Sequence, residues 1–140
     1  MSEFGETVGK FLDNRVGTFG VTEDGFFRCG NVVYGDARIV TLTHTDPLGT
    51  FYHRQALVPC GDHTVSVAWG SYNYGENNGV EGDAFNENPM SAEVAIWKND
   101  NPKKFVRLSE QTDDVRGWQT VSEVNGIIGH VRTVLNTPLI

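Results

Sequence analysis

The stretch His63-Thr-Val-Ser-Val-Ala-Trp69, followed after a long polar insertion by Ser91-Ala-Glu-Val-Ala-Ile-Trp97-Lys98, decides the fold. Both segments alternate apolar and polar residues with a period of two, the pattern of a half-buried strand. Between them runs Tyr72-Asn-Tyr-Gly-Glu-Asn-Asn-Gly-Val-Glu-Gly-Asp-Ala-Phe-Asn-Glu-Asn-Pro89, aromatic at its start and acidic to its end. Two strands bridged by a loop of that length place a recognition surface on a rigid support.

Upstream, turn signals recur at Asp24-Gly25, Gly30-Asn31, Gly35-Asp36, Asp46-Pro-Leu-Gly49 and Pro59-Cys-Gly-Asp62. The runs between them (Thr18–Thr22, Phe26–Cys29, Arg38–Thr43, Thr50–Val58 and Thr64–Trp69) are rich in β-branched and aromatic residues. This spacing predicts an antiparallel meander. A four-residue loop at Asp46–Gly49 sets Thr45 opposite Thr50, His44 opposite Phe51 and Leu42 opposite His53. A four-residue loop at Pro59–Asp62 sets Val58 opposite His63 and Ala56 opposite Val65. One face then gathers Ile39, Thr41, Tyr52, Ala56, Val58, Val65, Val67 and Trp69 as the core. The other carries Arg38, His44, His53, Gln55, Thr64 and Ser66 among Val40, Leu42, Phe51 and Leu57. Downstream, Ala92–Lys98 and Lys104–Leu108 are the last predicted strands, with Asn99–Pro102 as the turn between them.

The period changes near each terminus. Phe4, Val8, Phe11 and Leu12 predict a short helix within residues 1–14, and Val121, Val124, Ile127, Ile128, Val131, Val134 and Leu135 predict another over residues 120–135. Thr120-Val-Ser-Glu123 is a capping-box pattern that opens the second. Gly126 and Gly129 are read as small residues that let this helix approach the sheet closely. The expected fold is α+β: one domain over residues 1–140, with an antiparallel meander of about six to eight strands across residues 17–109 and a long loop at 71–90. The C-terminal amphipathic helix packs on it, and a short N-terminal helix precedes it.

Composition narrows the function classes. The chain of 140 residues carries a net charge of −7, unevenly spread: residues 1–97 hold 5 basic and 13 acidic groups, residues 98–140 hold 6 and 5. A nucleic-acid binder needs a basic face, and only Lys98, Lys103, Lys104 and Arg107 approach one, so nucleic acid is disfavoured as a partner. No apolar run approaches the roughly 18 to 20 residues of a membrane span. The opening Met1–Glu6 has neither a basic start nor an apolar core, so the expected location is cytoplasmic (the host cytoplasm if viral). Cys29 and Cys60 then read as reduced, buried thiols.

Catalytic patterns are weak. His44, His53 and His63 fall near Asp46, Cys60 and Asp62, but the register separates His63 from the other two, leaving His44 and His53 as the metal alternative. The carboxylates and asparagines of the long loop do not match an EF-hand. No nucleophile elbow, Walker loop or dinucleotide fingerprint occurs, and no cofactor is expected. The chain is expected to be a small acidic binding protein, non-enzymatic, in the style of a virus- or phage-encoded accessory protein. Its predicted contact residues are Tyr72, Asn73, Tyr74, Glu76, Asn77, Asp83 and Phe85, joined by the mixed sheet face, and its partner is another protein or a second copy of itself. Three alternatives stand beside this: a small-ligand protein that sequesters a nucleotide-type molecule in an aromatic-lined pocket, a DNA-mimic inhibitor, and a metal-dependent hydrolase.

Overall fold

The computed structural model describes residues 17–80, 82–107 and 115–135, with the backbone alone at Asp83. The helix expected within residues 1–14 lies outside the described residues. What is described is mostly β, in two antiparallel sheets with one C-terminal helix. No helix among the described residues is long and apolar enough to cross a membrane.

Strands β1 (Phe19–Val21), β2 (Phe27–Cys29) and β3 (Val32–Tyr34) form a small sheet, with Phe19 opposite Cys29 and Phe27 opposite Tyr34. The Asp24-Gly25 turn is closed by Thr22, whose hydroxyl accepts the Phe26 N–H at 3.0 Å. Strand β3 has no counterpart in the sequence reading. Three residues between two turns are too few for a period to register, and Val32 and Val33 stay exposed.

The larger sheet contains β4 (Arg38–Asp46), β5 (Gly49–Cys60), β6 (His63–Gly70), β7 (Ala92–Lys98), β8 (Asn101–Phe105) and β9 (Val115–Gln119). Its order is β4-β5-β6-β7, and the far edge of β7 is shared. Strand β8 pairs with the C-terminal end of β7, Trp97 opposite Phe105, while β9 pairs with its N-terminal end, Ala92 opposite Gln119. Pro102 sits inside β8 rather than in the preceding turn. An edge strand tolerates a residue that has no N–H to donate.

The β4–β5 register is the expected one, with Thr45 opposite Thr50 and Leu42 opposite His53. The β5–β6 register is two residues tighter than expected. Cys60 faces His63 and Val58 faces Val65, because the loop is only Gly61-Asp62 and Gly61 adopts a φ of 64°. A shift of two preserves the faces, since side chains alternate with period two. Ala56, Val58, Val65, Val67 and Trp69 are therefore buried as anticipated, while Thr41, near the free edge, is exposed.

The helix α1 (Val121–His130) continues into a π-helical turn, Val131–Leu135. Its capping box is complete: Glu123 N–H donates to the Thr120 hydroxyl at 3.3 Å, and Thr120 N–H donates to the Glu123 carboxylate at 3.1 Å. Val121, Val124, Ile127, Ile128 and Val131 enter one core with the inner faces of both sheets. Gly126 and Gly129 do not serve close packing, because a Cβ at either would meet nothing within 4 Å. Phe19, Phe27 and Trp69 stack at 6.1 to 6.5 Å within this core. Tyr34 ties the helix to the small sheet by donating to Asn125 Oδ1 at 2.7 Å. Arg132 clasps Asp36 and the Pro59 carbonyl, each at 3.0 Å.

Candidate functional site

The connection from β6 to β7 is built by its own polar side chains. Asn77, only 2% exposed, donates to the Asn86 carbonyl at 2.7 Å and accepts the Asn86 N–H at 2.9 Å. This amide pairing closes the loop as a strand partner would. Glu76 accepts the Met90 N–H at 2.7 Å, and its own N–H donates to the Ser91 hydroxyl at 2.9 Å. Asn73, also buried, hydrogen-bonds through Oδ1 to His53 Nδ1 at 2.7 Å. Glu93 receives the Tyr74 N–H at 2.7 Å. The loop asparagines, of which Asn73 and Asn77 were expected as contact residues, are in large part engaged in holding the loop and the strands beneath it.

The seven expected contact residues therefore divide. Asn73, Glu76 and Asn77 bond within the loop or to the strands beneath it. Phe85 is half-buried against the core, 5.3 Å from the Tyr52 ring, with the Arg54 guanidinium 5.7 Å from its centroid. Tyr72 and Tyr74 project, at 63% and 62% exposed. The side chain of Asp83 lies outside the described residues.

Two surfaces flank the tyrosines. On the outer sheet face, Leu42, His44, Phe51, Tyr52, His53 and Tyr72 line a hollow of ≈ 270 Å³. Phe51 and Tyr72 meet there at 5.7 Å, and His44 Nε2 lies 3.2 Å from Asp46 Oδ2. At the end of the sheet, Tyr74 adjoins β9, whose pairing with β7 is irregular between Ala92 and Val94. Arg116 faces Val94 and Gln119 faces Ala92, so Gly117 and Trp118 both stand against Glu93. This is a β-bulge, a device that re-aims side chains. Trp118 takes a φ of 55° and is 59% exposed. A left-handed backbone is rare for so bulky a residue and costs about 1–2 kcal/mol.

Trp118 is not among the contact residues expected from the sequence. The only signal was Gly117-Trp118 interrupting what would otherwise alternate, and the interruption also hid β9. Among the described residues, three buried polar atoms without a hydrogen-bond partner, Arg54 Nη1, Trp69 Nε1 and Gln119 Oε1, occur at this same end of the core. Arg54 is opposite Trp69 and Gln119 opposite Ala92, where β6 leaves for the loop and β7 returns from it. Strain and unsatisfied polarity thus gather beneath the loop.

The geometry bears differently on the other chemistries. Arg54 lies on the inner face and pairs with Glu87 at 2.7 Å, whereas Tyr72 lies on the outer one, so the two do not share a cleft. Among the described residues, no three of the His, Cys, Asp and Glu side chains gather closely enough to hold a metal ion. His44 and His53 share a face, each engaged by a different neighbour, Asp46 and Asn73. Cys29 and Cys60 are free and buried. Burial pushes the Cys29 thiol up to about 12 and raises Cys60 as well, which leaves both poor nucleophiles. The basic residues Lys98, Lys103, Lys104 and Arg107 line a separate open groove beside the β7–β8 hairpin. No family model matches the chain, and neither the curated proteins nor the solved structures compared with it include a match.

Proposed function

We propose that the chain is a non-enzymatic binding protein whose partner is another protein or a second copy of itself. Its contact surface is the loop end of the large sheet, Tyr72 and Tyr74 with Trp118, continued by the outer face around Leu42 and Phe51. The carrying observation is the division within the loop: the amides and carboxylates hold the backbone, and the two tyrosines stand out from it. Rigid, amphipathic rings on a fixed support give contact area at low entropic cost. The cost of strain at Trp118 and of unpartnered polar atoms below it fits a site where stability yields to function.

The size of the outer hollow favours a protein over a small ligand. At ≈ 270 Å³ it falls under the roughly 300–1,000 Å³ usual for ligand pockets. The acidic groups described within residues 76–93 argue against DNA mimicry, since Glu76, Glu87 and Glu93 are each engaged by other residues of the chain.

The test is affinity capture from the source cell followed by reconstitution with the purified partner. Tyr72→Ala with Tyr74→Ala should weaken retention by about 30-fold or more, as the loss of two aromatic anchors does. The melting transition should stay nearly fixed. Undiminished binding by the double variant would sink the reading.

A further inference from the structure

The two edges of the large sheet are treated differently. On the far side, β8 is short and carries Pro102, Lys103 and Lys104, the residue types that discourage strand pairing. On the near side, β4 runs for nine residues in unbroken register with β5, without a proline, lysine or bulge. Its outer edge has no strand partner among the described residues, and Thr41, Leu42, Thr43, His44 and Thr45 are all exposed. A long edge in unbroken register that lacks these guards is a template for another strand.

We propose that β4 pairs antiparallel with β4 of a second copy about a two-fold axis at Leu42. The inference goes beyond the binding role above: it gives the β4 edge an occupant of its own, a second copy, and leaves the tyrosine end of the sheet to the partner of that role. The sequence of the edge, Arg38-Ile-Val-Thr-Leu-Thr-His-Thr-Asp46, is self-complementary in this register. Arg38 falls opposite Asp46 of the second copy, and the symmetry makes that ion pair twice. Val40 falls opposite His44, Thr41 opposite Thr43, and Leu42 opposite itself. Backbone N–H and C=O groups of a strand point alternately to its two edges, so a symmetric pairing must join residues of like parity. Centring on Leu42 does so and uses all nine residues. Centring on Thr41 or Thr43 also preserves parity but leaves one charged end without its opposite. Arg38 has no ion-pair partner of its own among the described residues. Pairing also brings the two outer faces into one surface, with the hollow lined by Leu42 on either side of the axis. An isologous contact of this kind closes after two copies.

The experiment uses the whole chain with single cysteines introduced along β4. Cross-strand neighbours lie about 4.5–5.5 Å apart at Cα, within disulfide reach. Leu42→Cys should therefore oxidise to a covalent dimer, while Val40→Cys and Thr43→Cys, whose opposites are His44 and Thr41, should not. Cys29 and Cys60 are buried and do not compete. Sedimentation of the unaltered chain should give twice the 15.5 kDa monomer mass. Arg38→Asp, which sets like charges opposite one another, should weaken the dimer about tenfold, with Arg38→Lys keeping it. A monomer that leaves Leu42→Cys unlinked overturns the pairing, and so does a dimer that links equally at all three positions. Tyr72→Ala with Tyr74→Ala should leave the dimer intact. A monomeric chain that still loses its partner on that double change would overturn the pairing alone and leave the binding role standing.

Discussion

The backbone N–H of Trp118 donates to the carbonyl of Tyr74 at 2.8 Å, joining the β9 bulge to the long loop. The approach is close enough that a Cβ on Gly117 would lie 2.5 Å from the Tyr74 Cβ. Gly117→Ala should therefore force the two segments apart and destabilise the fold by about 1–3 kcal/mol, read from the denaturant midpoint. Trp118→Gly relieves the left-handed backbone and removes the exposed ring. Stability should hold or rise by up to about 1 kcal/mol, while partner retention falls in the same capture assay. A variant that loses stability and keeps its partner would show Trp118 to be a packing residue.

Asn77 offers the converse case. Its amide makes two hydrogen bonds with the Asn86 backbone and is buried. Asn77→Ala should cost about 1–3 kcal/mol, because it leaves the Asn86 groups without partners. Faster hydrogen exchange across residues 71–90 should accompany that loss. Tyr72→Ala and Tyr74→Ala, at exposed positions, should each move stability by no more than about 0.5 kcal/mol.

The helix glycines are available for stabilisation. Gly126 and Gly129 lie in regular helix with open space where a side chain would project. Gly126→Ala and Gly129→Ala should each add about 1 kcal/mol, measured by thermal or chemical unfolding. A destabilisation would overturn the open space at these two positions.

Alkaline pH should weaken the fold through Cys29. Burial raises its pKa from 9.0 to about 12. Below pH 9 the folded and unfolded chains both hold the proton. Between these values the unfolded chain releases it and the folded chain retains it, so stability falls as pH rises. Tyr34, raised by burial from 10.0 to about 12, adds a loss of the same sign. Unfolding free energies measured from pH 8 to 11 should decline, and Cys29→Ala should flatten that slope. The native thiols should also resist disulfide reagents until the chain unfolds.

Period and turn chemistry made much of this architecture legible in the sequence. Alternation in residues 63–69 and 92–98 set the core face. The Thr120–Glu123 capping box set the helix start, and Asp46–Gly49 set the β4–β5 register. These are local signals, carried by residues within a few positions of one another. What they do not encode is which segment meets which across the fold. The two-residue shift at Gly61-Asp62 is invisible to a periodicity argument because it leaves every face unchanged. Strand β9 was hidden because its bulge breaks the alternation by which strands are read, and Trp118 was hidden with it. The loop shows the same limit: its composition marked it as a recognition element, but hydrogen bonding across the folded loop divides Asn77 and Glu76, which build it, from Tyr72 and Tyr74, which face outward. Sequence by itself therefore determined the elements and their buried sides. Tertiary structure alone decided the split into two sheets, the shared edge of β7 and the side chains left exposed at the loop end, because those depend on pairings between residues far apart in the chain.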